Sequence, residues 1–545
     1  MIYKYGIDFG TTNSSIALCS KDKNGVIETH VFDMQDSYPY VTLPSVVYIN
    51  GNLENSYIGN EAKRRFSVQD EETSRNSRNI FIKRVKMLLE ESAGKLEYSL
   101  NRKNISAAQV ISLLLKQLKE EADDNSIVKR LKPHGVVLGV PVEYGDVQKK
   151  VLIEALYLAG YYSDLNEAME LTEFVSEPVA VAVDYGVNLQ GNKTVLVFDF
   201  GGGTLDLAIL KMKSQGNSKT LIPHEVLAKS RLTLGGEEIT RKFFINSFCS
   251  DDKYGFKYLQ KKLKFRYAET PDDLFEELSQ KYYGIDLIDK VDYCKCELSR
   301  QRKTKFHFSG PNGMYLNEME FSRQDLKMAI SDELSKIETL IDNCLDDAGI
   351  EDYYDIDNVV VAGGSALITS VLEVLQDKFG PEKVLTKTND TGKEGNNFKP
   401  SDVLTSVVRG LATVGCNESS LVEDVVDCDY GVWDTKKDVF LPIVDKGTPV
   451  KSTILDRLTM DGQYILAEAD RPNVTKINVQ VYQRNLNGEE RLGTIVINNP
   501  GGKKYRIYMQ VDPKKGRLTV HFYDEVKKSW KNDIPLEQRE YNINS

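Results

Sequence analysis

The chain has 545 residues and a formal net charge of −11, and it is too long for one hydrophobic core, so two to four domains are expected. Its 41% hydrophobic and 28% charged residues are typical of a globular protein. The acidic balance argues against a nucleic-acid binder, which would neutralise phosphates with Lys and Arg. The seven cysteines show no CxxC spacing, which predicts reduced thiols. The sequence shows no apolar signal segment and no apolar run of membrane length, so we expect a cytoplasmic protein without membrane association.

An internal repeat dominates the first part of the chain. The runs Tyr5–Leu18 and Val197–Leu210 both consist of an apolar strand, the sequence Asp-Phe-Gly, small polar residues and a second apolar strand. This is the pattern of a β-hairpin with glycine at the bend. The two copies are about 190 residues apart, and alternating strands and helices follow each one. The repeat therefore predicts two similar α/β lobes that face one another.

Hydrophobic spacing predicts further elements between and after the hairpins. The stretch 240–299 is expected to be a polar, aromatic-rich helical insertion in the second lobe, and 388–399 a mobile loop. A buried strand over 359–362 enters a Gly-Gly turn, which places Ser365 to cap the next helix. The remaining predictions are helices over 107–122, 147–158 and 177–185 and a strand over 136–140.

After residue 415 short alternating strands separated by turn signals replace the helical periodicity. Four strands are predicted, over 477–482, 492–497, 505–511 and 518–523. The expected organisation is a two-lobed domain over 1–415 (lobe I about 1–186, lobe II about 187–415), a linker over 416–429 and an all-β sandwich over 430–545.

The two hairpins carry the chemistry of a phosphate site. Glycine at the bend lets backbone N–H groups approach phosphate oxygens without a Cβ in the way, and threonine hydroxyls can add donors. Asp8 and Asp199 end the first strand of each hairpin, where direct contact with phosphates would be repulsive. A divalent cation is therefore needed between them. Mg²⁺ usually keeps several waters, which Asp8, Asp199 and Asp206 would hold.

At these motifs the chain resembles the actin, hexokinase and 70-kilodalton heat-shock ATPase superfamily, and finer matches favour the heat shock protein 70 family. Gly6–Ser14 and Phe198–Asp206 resemble its two phosphate loops, and Val359–Ile368 resembles its adenosine motif. Further matches are the connecting helix (Ser176–Gly186), the turn Leu234–Glu238, and Leu441–Pro449 and Asn478–Gln483 of the peptide-binding sandwich. The resemblance implies an actin-like ATPase domain of duplicated ribonuclease H-like lobes, followed by a β-sandwich.

The resemblance also implies residue roles. Lys83 matches the lysine beside the γ-phosphate and attacking water, and Glu177 the carboxylate that orients metal-bound water; Asp8, Asp199 and Thr204 complete the catalytic set. Pro141 matches a proline switch, and Lys149 stands where the family has the arginine that senses it. The cofactors implied are ATP or ADP with Mg²⁺, and K⁺ as a further cation. The nucleotide contacts implied are Gly10, Thr11, Thr12, Asn13, Gly201, Gly202, Gly203, Thr204, Gly235, Gly236, Glu237, Asp292, Lys295, Ser299, Gly363, Gly364 and Ser365.

Several positions depart from the family pattern. Cys296 and Leu367 replace two arginines of the adenine clamp, which removes cation–π stabilisation and predicts weaker or less selective nucleotide binding. Glu423 puts a charge in the apolar linker string. Glu173 replaces the arginine that pairs with a J-domain aspartate, so that partner would be repelled. The chain ends soon after the sandwich, so the helical lid is expected to be missing.

Three functions compete. The favoured one is a lidless chaperone of the heat shock protein 70 type, whose slow ATP turnover modulates binding of unfolded or extended polypeptides. The alternative is a nucleotide-gated interaction protein with weak or no ATPase activity and one specific protein partner. The missing lid, the altered linker and Glu173 favour this alternative. A nucleotide-exchange factor is a possible partner of either. A small-molecule kinase is the weakest reading, because no acceptor-binding motif is present.

Overall fold

A computed structural model of the chain gives the arrangement of its elements. It describes residues 3–21, 27–34, 41–67, 79–89, 97–100, 103–141, 144, 146–186, 189, 191–214, 221–264, 268–279, 282–310, 313–386, 403–416, 426, 429–445, 448, 463–468, 475–485, 488–498, 504–512, 517–531 and 540–542. Among these residues there is no helix with the length and apolar character needed to cross a membrane.

The first lobe contains eleven described strands and six described helices. The strands are β1 (Tyr5–Phe9), β2 (Asn13–Lys21), β3 (Ile27–Val31), β4 (Leu43–Pro44), β5 (Val47–Asn50), β6 (Ser56–Ile58), β7 (Asn79–Ile82), β8 (Glu97–Leu100), β9 (Lys103–Ser106), β10 (Val136–Val140) and β11 (Thr172–Ser176). The helices are α1 (Gly59–Ser67), α2 (Ala107–Asp123), α3 (Ser126–Leu131), α4 (Asp146–Leu158), α5 (Leu165–Leu171) and α6 (Glu177–Gly186).

The main sheet of this lobe has the order β11-β10-β1-β2-β3. Strand β1 pairs antiparallel with β2 and parallel with β10. Helix α2 begins at a capping box, in which Ser106 and Gln109 each satisfy the other's backbone N–H. Its apolar face, which includes Leu114 and Leu118, is buried in the core that covers the sheet. The sheet thereby holds the Asp8 end of β1 at one edge of a rigid layer.

The second lobe repeats this plan with a helical insertion. Its strands are β12 (Lys193–Phe200), β13 (Leu205–Ser214), β14 (Leu221–Leu232), β15 (Lys303–Ser309), β16 (Tyr315–Ser322), β17 (Asn358–Ala362) and β18 (Val384–Leu385). Its helices are α7 (Gly236–Phe243), α8 (Phe256–Leu263), α9 (Pro271–Ser279), α10 (Tyr282–Arg300), α11 (Arg323–Ala329), α12 (Ser331–Asp347), α13 (Thr369–Phe379) and α14 (Ser406–Gly415).

The second sheet has the order β14-β13-β12-β17-β18. Strand β12 pairs antiparallel with β13 and parallel with β17, as β1 does with β2 and β10. Asp199 at the end of β12 therefore occupies the position that Asp8 has in β1. The internal repeat of the sequence is thus a repeat of the fold.

Helices α6 and α14 lie between the two sheets. An apolar cluster joins Val137 of the first sheet, Val197 of the second sheet and Leu411 of α14. Glycines let the layers approach closely: a Cβ on Gly410 would lie 1.8 Å from the Ala180 carbonyl oxygen of α6. Although α14 is the C-terminal helix of the second lobe, it packs on β1 and β2 of the first. The pair of helices thereby connects the two lobes.

The C-terminal part folds into two antiparallel sheets. Its strands are β19 (Asp429–Asp434), β20 (Val439–Val444), β21 (Ile465–Glu468), β22 (Lys476–Asn485), β23 (Gly488–Asn498), β24 (Lys504–Asp512), β25 (Arg517–Asp524), β26 (Ser529–Trp530) and β27 (Glu540–Asn542). One sheet has the order β20-β19-β22-β23, and the other has the order β21-β24-β25-β26 with β27 on β25. Alternate residues of both sheets, such as Val481, Ile497, Ile507 and Val520, form one core.

The elements predicted from periodicity are confirmed to within a few residues: helices α2, α4 and α6 and strands β10 and β22 to β25. One detail was wrong, because Ser365 does not cap the next helix. It lies in a 3₁₀ turn over Gly364–Leu367, and α13 starts after Ile368 without a side-chain cap. The predicted loop over 388–399 and the linker residues 421–425, with Glu423, lie outside the described residues.

Candidate functional site

The first hairpin turns tightly between β1 and β2. A Cβ on Gly10 would lie 2.1 Å from the Asn13 carbonyl oxygen, so the bend requires glycine. Ser45 anchors the turn: its Oγ donates to the Gly10 carbonyl over 2.7 Å, and its N–H donates to the Thr12 carbonyl over 2.8 Å. The bend that carries Thr11 and Thr12 is thus fixed without either threonine side chain being needed for the turn.

The second hairpin is closed by hydrogen bonds of its own residues. The Gly201 N–H donates to the Thr204 carbonyl over 3.0 Å, and Thr204 Oγ1 donates to Asp206 Oδ2 over 2.8 Å. Gly363, at the end of β17, has φ of 78° and would place a Cβ 2.3 Å from the Phe200 carbonyl oxygen. Only glycine fits there, which explains the Gly-Gly turn after that strand.

The two hairpins touch each other across the lobes. A Cβ on Gly202 would lie 1.7 Å from Thr12 Oγ1, and a Cβ on Gly203 would lie 3.0 Å from Thr11. Backbone therefore faces threonine hydroxyls with no side chain between them. This arrangement brings together the residues that the repeat predicted as a phosphate site.

A buried ion pair lies beneath the hairpins. Lys86 Nζ donates to Glu177 Oε1 over 2.7 Å, and the two residues are only 4% and 8% exposed. Lys86 sits in a short 3₁₀ helix over Val85–Leu89 that starts where the Val85 N–H donates to the Ser45 carbonyl. Burial opposes the charge of Lys86, yet Glu177 raises its pKa above the usual value. Ser45 thus connects the first hairpin to the turn that carries this lysine.

Three aspartates share this centre with Glu177. Burial and then repulsion from Glu177 raise the pKa of Asp8 to about 7, and the same causes raise the pKa of Asp199 well above its usual range. Burial raises the pKa of Asp206 to about 6, although Arg231, whose Nε lies 3.6 Å from Asp206 Oδ1, acts in the opposite direction. Burial is the largest cause of each raised pKa, and repulsion from Glu177 adds to it in all three aspartates.

The charge deficit has the size of one divalent cation. Four carboxylates face two cationic side chains, Lys86 and Arg231, which leaves a formal excess of two negative charges. Asp206 Oδ1 is buried and accepts no hydrogen bond from a described residue. The donor set of carboxylates and hydroxyls suits Mg²⁺. Among the described residues, no three acidic, His or Cys side chains converge closely enough to hold a metal ion directly.

Lys83, the lysine predicted beside the γ-phosphate, is not the lysine that pairs with Glu177. The charged groups with the largest influence on its pKa are Asp289, Glu237, Lys63 and Arg84. Burial lowers the pKa of Lys83 to about 8. The structure therefore brings Asp8, Glu177, Asp199 and Asp206 together as predicted, but the lysine among them is Lys86.

The residues predicted to hold the base surround the second hairpin. The Gly236 N–H donates to the Gly201 carbonyl, and Ser365 Oγ donates to the same oxygen over 2.7 Å. A Cβ on Gly235 would lie 2.2 Å from the Gly202 carbonyl oxygen. The turn opening α7 and the turn after β17 are therefore packed directly on the phosphate hairpin.

Helix α10 supplies the other side of this region. Buried Lys295 donates to the Gly236 carbonyl over 2.8 Å, to Thr240 Oγ1 over 2.9 Å and to Asp292 Oδ1 over 2.6 Å. Although burial acts in the other direction, Lys295 lowers the pKa of Asp292. Cys296 is exposed on the same helix, and Ser299 contributes its carbonyl to Arg323. Lys295 thus supports the turn that opens α7, whereas the neighbouring Cys296 is exposed to solvent.

The cleft is closed by contacts between the lobes. Glu237 Oε1 lies 3.4 Å from Thr12 Oγ1, and Glu237 Oε2 lies 3.0 Å from Arg84 Nε. Lys63 of α1 pairs with Asp289 of α10 over 2.9 Å. These pairs hold the two lobes together above the hairpins.

Four further positions were singled out by the resemblance: Pro141, Lys149, Glu173 and Leu367. Pro141 is buried directly after β10, and Lys149 Nζ lies 5.9 Å from the ring centroid of Phe174. Glu173 is exposed on β11, where Lys4 Nζ donates to its Oε1 over 2.7 Å. Leu367 packs at the edge of the second lobe's core. The roles predicted for these positions in regulation and, for Leu367, in the adenine clamp stay predictions.

A duplicated α/β fold with glycine hairpins that meet over buried carboxylates is the architecture of actin-like ATPases, and a β-sandwich follows it here. The family model described as Hsp70 protein matches residues 4–393. The chain therefore belongs to the Hsp70 family, whose members are ATP-dependent chaperones that bind ATP or ADP with Mg²⁺. The predicted fold class, an actin-like ATPase domain followed by a β-sandwich, is confirmed.

Individual relatives are distant. The chain is 27% identical over 500 residues to the chaperone protein DnaK of Anaplasma marginale (strain St. Maries), covering 88% of this chain and 67% of the relative. It is 27% identical over 403 residues to the chloroplastic heat shock 70 kDa protein 6 of Arabidopsis thaliana, covering 71% and 50%. A DnaK of Prochlorococcus marinus (strain MIT 9515) is 25% identical over 478 residues, covering 84% and 67%. The alignments thus span between half and about two thirds of these relatives.

Proposed function

We propose that this protein binds Mg²⁺·ATP between its two hairpins and hydrolyses it slowly, and that the nucleotide state modulates binding of extended polypeptide by the β-sandwich. The observation that carries the proposal is the centre of four carboxylates and two cations beneath the hairpins. Its charge deficit, its raised pKa values and the absence of side chains at the glycine bends together suit a metal-bound polyphosphate.

Each part of the centre has a task in this proposal. Backbone N–H groups at Gly10 and Gly201–Gly203 and the threonine hydroxyls would bind phosphate oxygens. Asp8, Asp199 and Asp206 would hold the waters of Mg²⁺, which when bound supplies positive charge to the phosphates. Glu177 would accept a hydrogen bond from the attacking water and orient it. Lys86, held against Glu177, would stabilise negative charge that spreads over the transferring phosphoryl group.

The assignment of the lysine follows the geometry of the site. Lys86 pairs with Glu177 in the carboxylate centre, whereas the acidic groups that most influence the pKa of Lys83 are Asp289 and Glu237. We therefore assign electrostatic catalysis to Lys86. Lys83 remains a candidate for contact with the nucleotide, because it is close enough to Glu237, in the turn that packs on the second hairpin, for this carboxylate to influence its pKa.

The second candidate function is a nucleotide-gated interaction protein that turns over little ATP. The exposed Cys296 favours it, because this position on α10 presents a thiol rather than a group that could stack on a base. The domain division proposed above, with its linker over 416–429, is common to both functions.

The two functions differ in their response to peptides. ATP turnover of the full chain should be measured with and without a library of extended apolar peptides. A chaperone is expected to bind members of the library and to change its turnover, whereas a dedicated interaction protein should do neither. The control is the same library with Asp199→Asn, which should retain peptide binding but lose the nucleotide response. Absence of peptide binding to the wild type would rule out the chaperone.

A further inference from the structure

Two cysteines meet where α14 ends on the first sheet. Cys19 lies in β2, and Cys416 is the residue directly after α14. They are 1% and 3% exposed and belong to a small cluster that also contains Ala17, Val408 and Ala412. Packing of the last helix therefore brings together two thiols that are far apart in the sequence.

The two thiols are neighbours in this cluster, and the Cys19 Sγ donates to the Ser20 carbonyl over 3.9 Å. Cys416 and burial raise the pKa of the Cys19 thiol, whereas Cys19 lowers the pKa of Cys416. A thiolate is the nucleophile in thiol–disulfide exchange, so one thiol of the pair attacks the oxidant after deprotonation and the other resolves the mixed disulfide.

We infer that Cys19 and Cys416 form a reversible disulfide that fastens the end of α14 to β2. With a low-molecular-weight disulfide such as oxidised glutathione as oxidant, one of the two protein thiols attacks one of its sulfurs and releases one glutathione thiol. The other protein thiol then attacks the protein sulfur of the mixed disulfide and releases the second. The protein thiols lose two electrons and two protons, which the two glutathione molecules gain. Since both thiols are buried, the reaction requires local opening of the helix end and is slow.

The position of the pair gives the disulfide a consequence for the ATPase region. Strand β2 is the second strand of the first phosphate hairpin, and the chain continues from Cys416 into the segment predicted as the interdomain linker. Thr413 Oγ1 also lies 3.4 Å from Thr29 Oγ1 of β3. A covalent bond at this point would restrain the last turn of α14 against the first sheet. This consequence rests on the proposed function, whereas formation of the disulfide does not.

The test uses the full chain and oxidised glutathione, followed by digestion without reductant and mass spectrometry. The expected product is a peptide that joins Cys19 to Cys416, weighs two hydrogens less than the separate peptides and disappears on treatment with a dithiol. A cysteine-containing reference peptide added to the reaction serves as the internal control, because its accessible thiol becomes glutathionylated under the same conditions. If this peptide is fully modified while Cys19 and Cys416 remain unlinked, or pair with other cysteines, the inference is wrong.

Two variants and one further measurement complete the test. Cys416→Ser should abolish the cross-link, whereas Cys344→Ser, at a buried cysteine of α12, should retain it. Amide hydrogen exchange in Thr413–Cys416 should slow at least several-fold on oxidation of the wild type. Unchanged exchange in a protein that has formed the cross-link would overturn the claim that the bond fastens the helix. Neither measurement needs nucleotide, so failure here is distinguishable from failure of the proposed ATPase.

Discussion

Lys86 Nζ lies 2.7 Å from Glu177 Oε1, and this buried pair connects the turn after β7 to the first residue of α6. Breaking one partner of a buried ion pair leaves the other charge without compensation, which is costly. The pair therefore has a structural part, which is to hold Glu177 in place. It also has a chemical part, which is to keep a cation beside the aspartates.

The first prediction compares two lysines three residues apart. Lys86→Met should slow single-turnover ATP hydrolysis by roughly 10²–10³-fold, the order expected for loss of one preorganised electrostatic group. Lys83→Met should slow it less, because Lys83 is not a member of the carboxylate centre. Lys86→Arg keeps the charge and should recover part of the rate.

Thermal unfolding of each variant provides the control for this comparison. If Lys86→Met is unstable, the cause is the charge of Glu177, which is left without a partner. The double variant Lys86→Met with Glu177→Gln removes that charge, and its rate is then compared with the rate of Glu177→Gln alone. A larger loss of rate in Lys83→Met than in Lys86→Met would contradict the assignment and return the role to Lys83.

The second prediction concerns pH. Asp8, with a pKa of about 7, and Asp206, with a pKa of about 6, bind protons more tightly in the folded protein than in the unfolded chain. An aspartate in the unfolded chain has a pKa of about 4. The contribution of Asp8 and Asp206 to stability is therefore fully present below about pH 4 and is lost as the pH rises through 6 to 7. The melting temperature of the nucleotide-free protein should therefore decrease as the pH is raised from 5 to 8.

Mg²⁺·ATP should reduce this fall, because added positive charge lowers the carboxylate pKa values. Asp8→Asn should make the profile of the nucleotide-free protein flatter, since the amide does not titrate. A midpoint that rises over this interval in the wild type and not in Asp8→Asn would contradict the proposed charge deficit.

The third prediction concerns the base. Cys296→Arg places a planar cation on the exposed side of α10, where it can stack on adenine. A cation–π contact is worth about 0.5–2 kcal/mol, so ATP affinity should rise by roughly 2- to 30-fold. The measurement is competition of ATP against GTP in calorimetry, with Cys296→Lys as the control for charge without a planar group. Equal gains from Arg and Lys would show that charge alone is responsible.

Much of the fold could be predicted because the relevant signals are local. The Asp-Phe-Gly repeat contains its own strands and bend, and so the duplicated hairpins and the aspartates at the ends of β1 and β12 follow from sequence. The short alternating strands of the sandwich follow for the same reason, since a period of two residues is visible in each strand.

What could not be predicted depends on contacts between distant segments. Ser45 supports the first hairpin from 35 residues away, and Arg231 reaches Asp206 from the next strand. The resemblance selected Lys83 from its motif, but only the packing of the turn over Val85–Leu89 decides which lysine faces Glu177. A basic residue three positions after a motif lysine is the one signal that could have suggested Lys86. Ser365 was expected to cap α13 but instead donates to the Gly201 carbonyl. A small hydroxyl side chain suits either contact, so the sequence could not distinguish them.

The most direct test of the account is a calorimetric titration of ATP into the full chain with Mg²⁺ and again with a chelator. If the centre beneath the hairpins needs one divalent cation, ATP should bind at one site per chain with Mg²⁺ and at least ~10-fold more weakly without it, a difference of about 1.4 kcal/mol. Asp199→Asn should reduce the dependence on Mg²⁺. Equal affinity with and without the metal, or no binding in either case, would contradict the central claim.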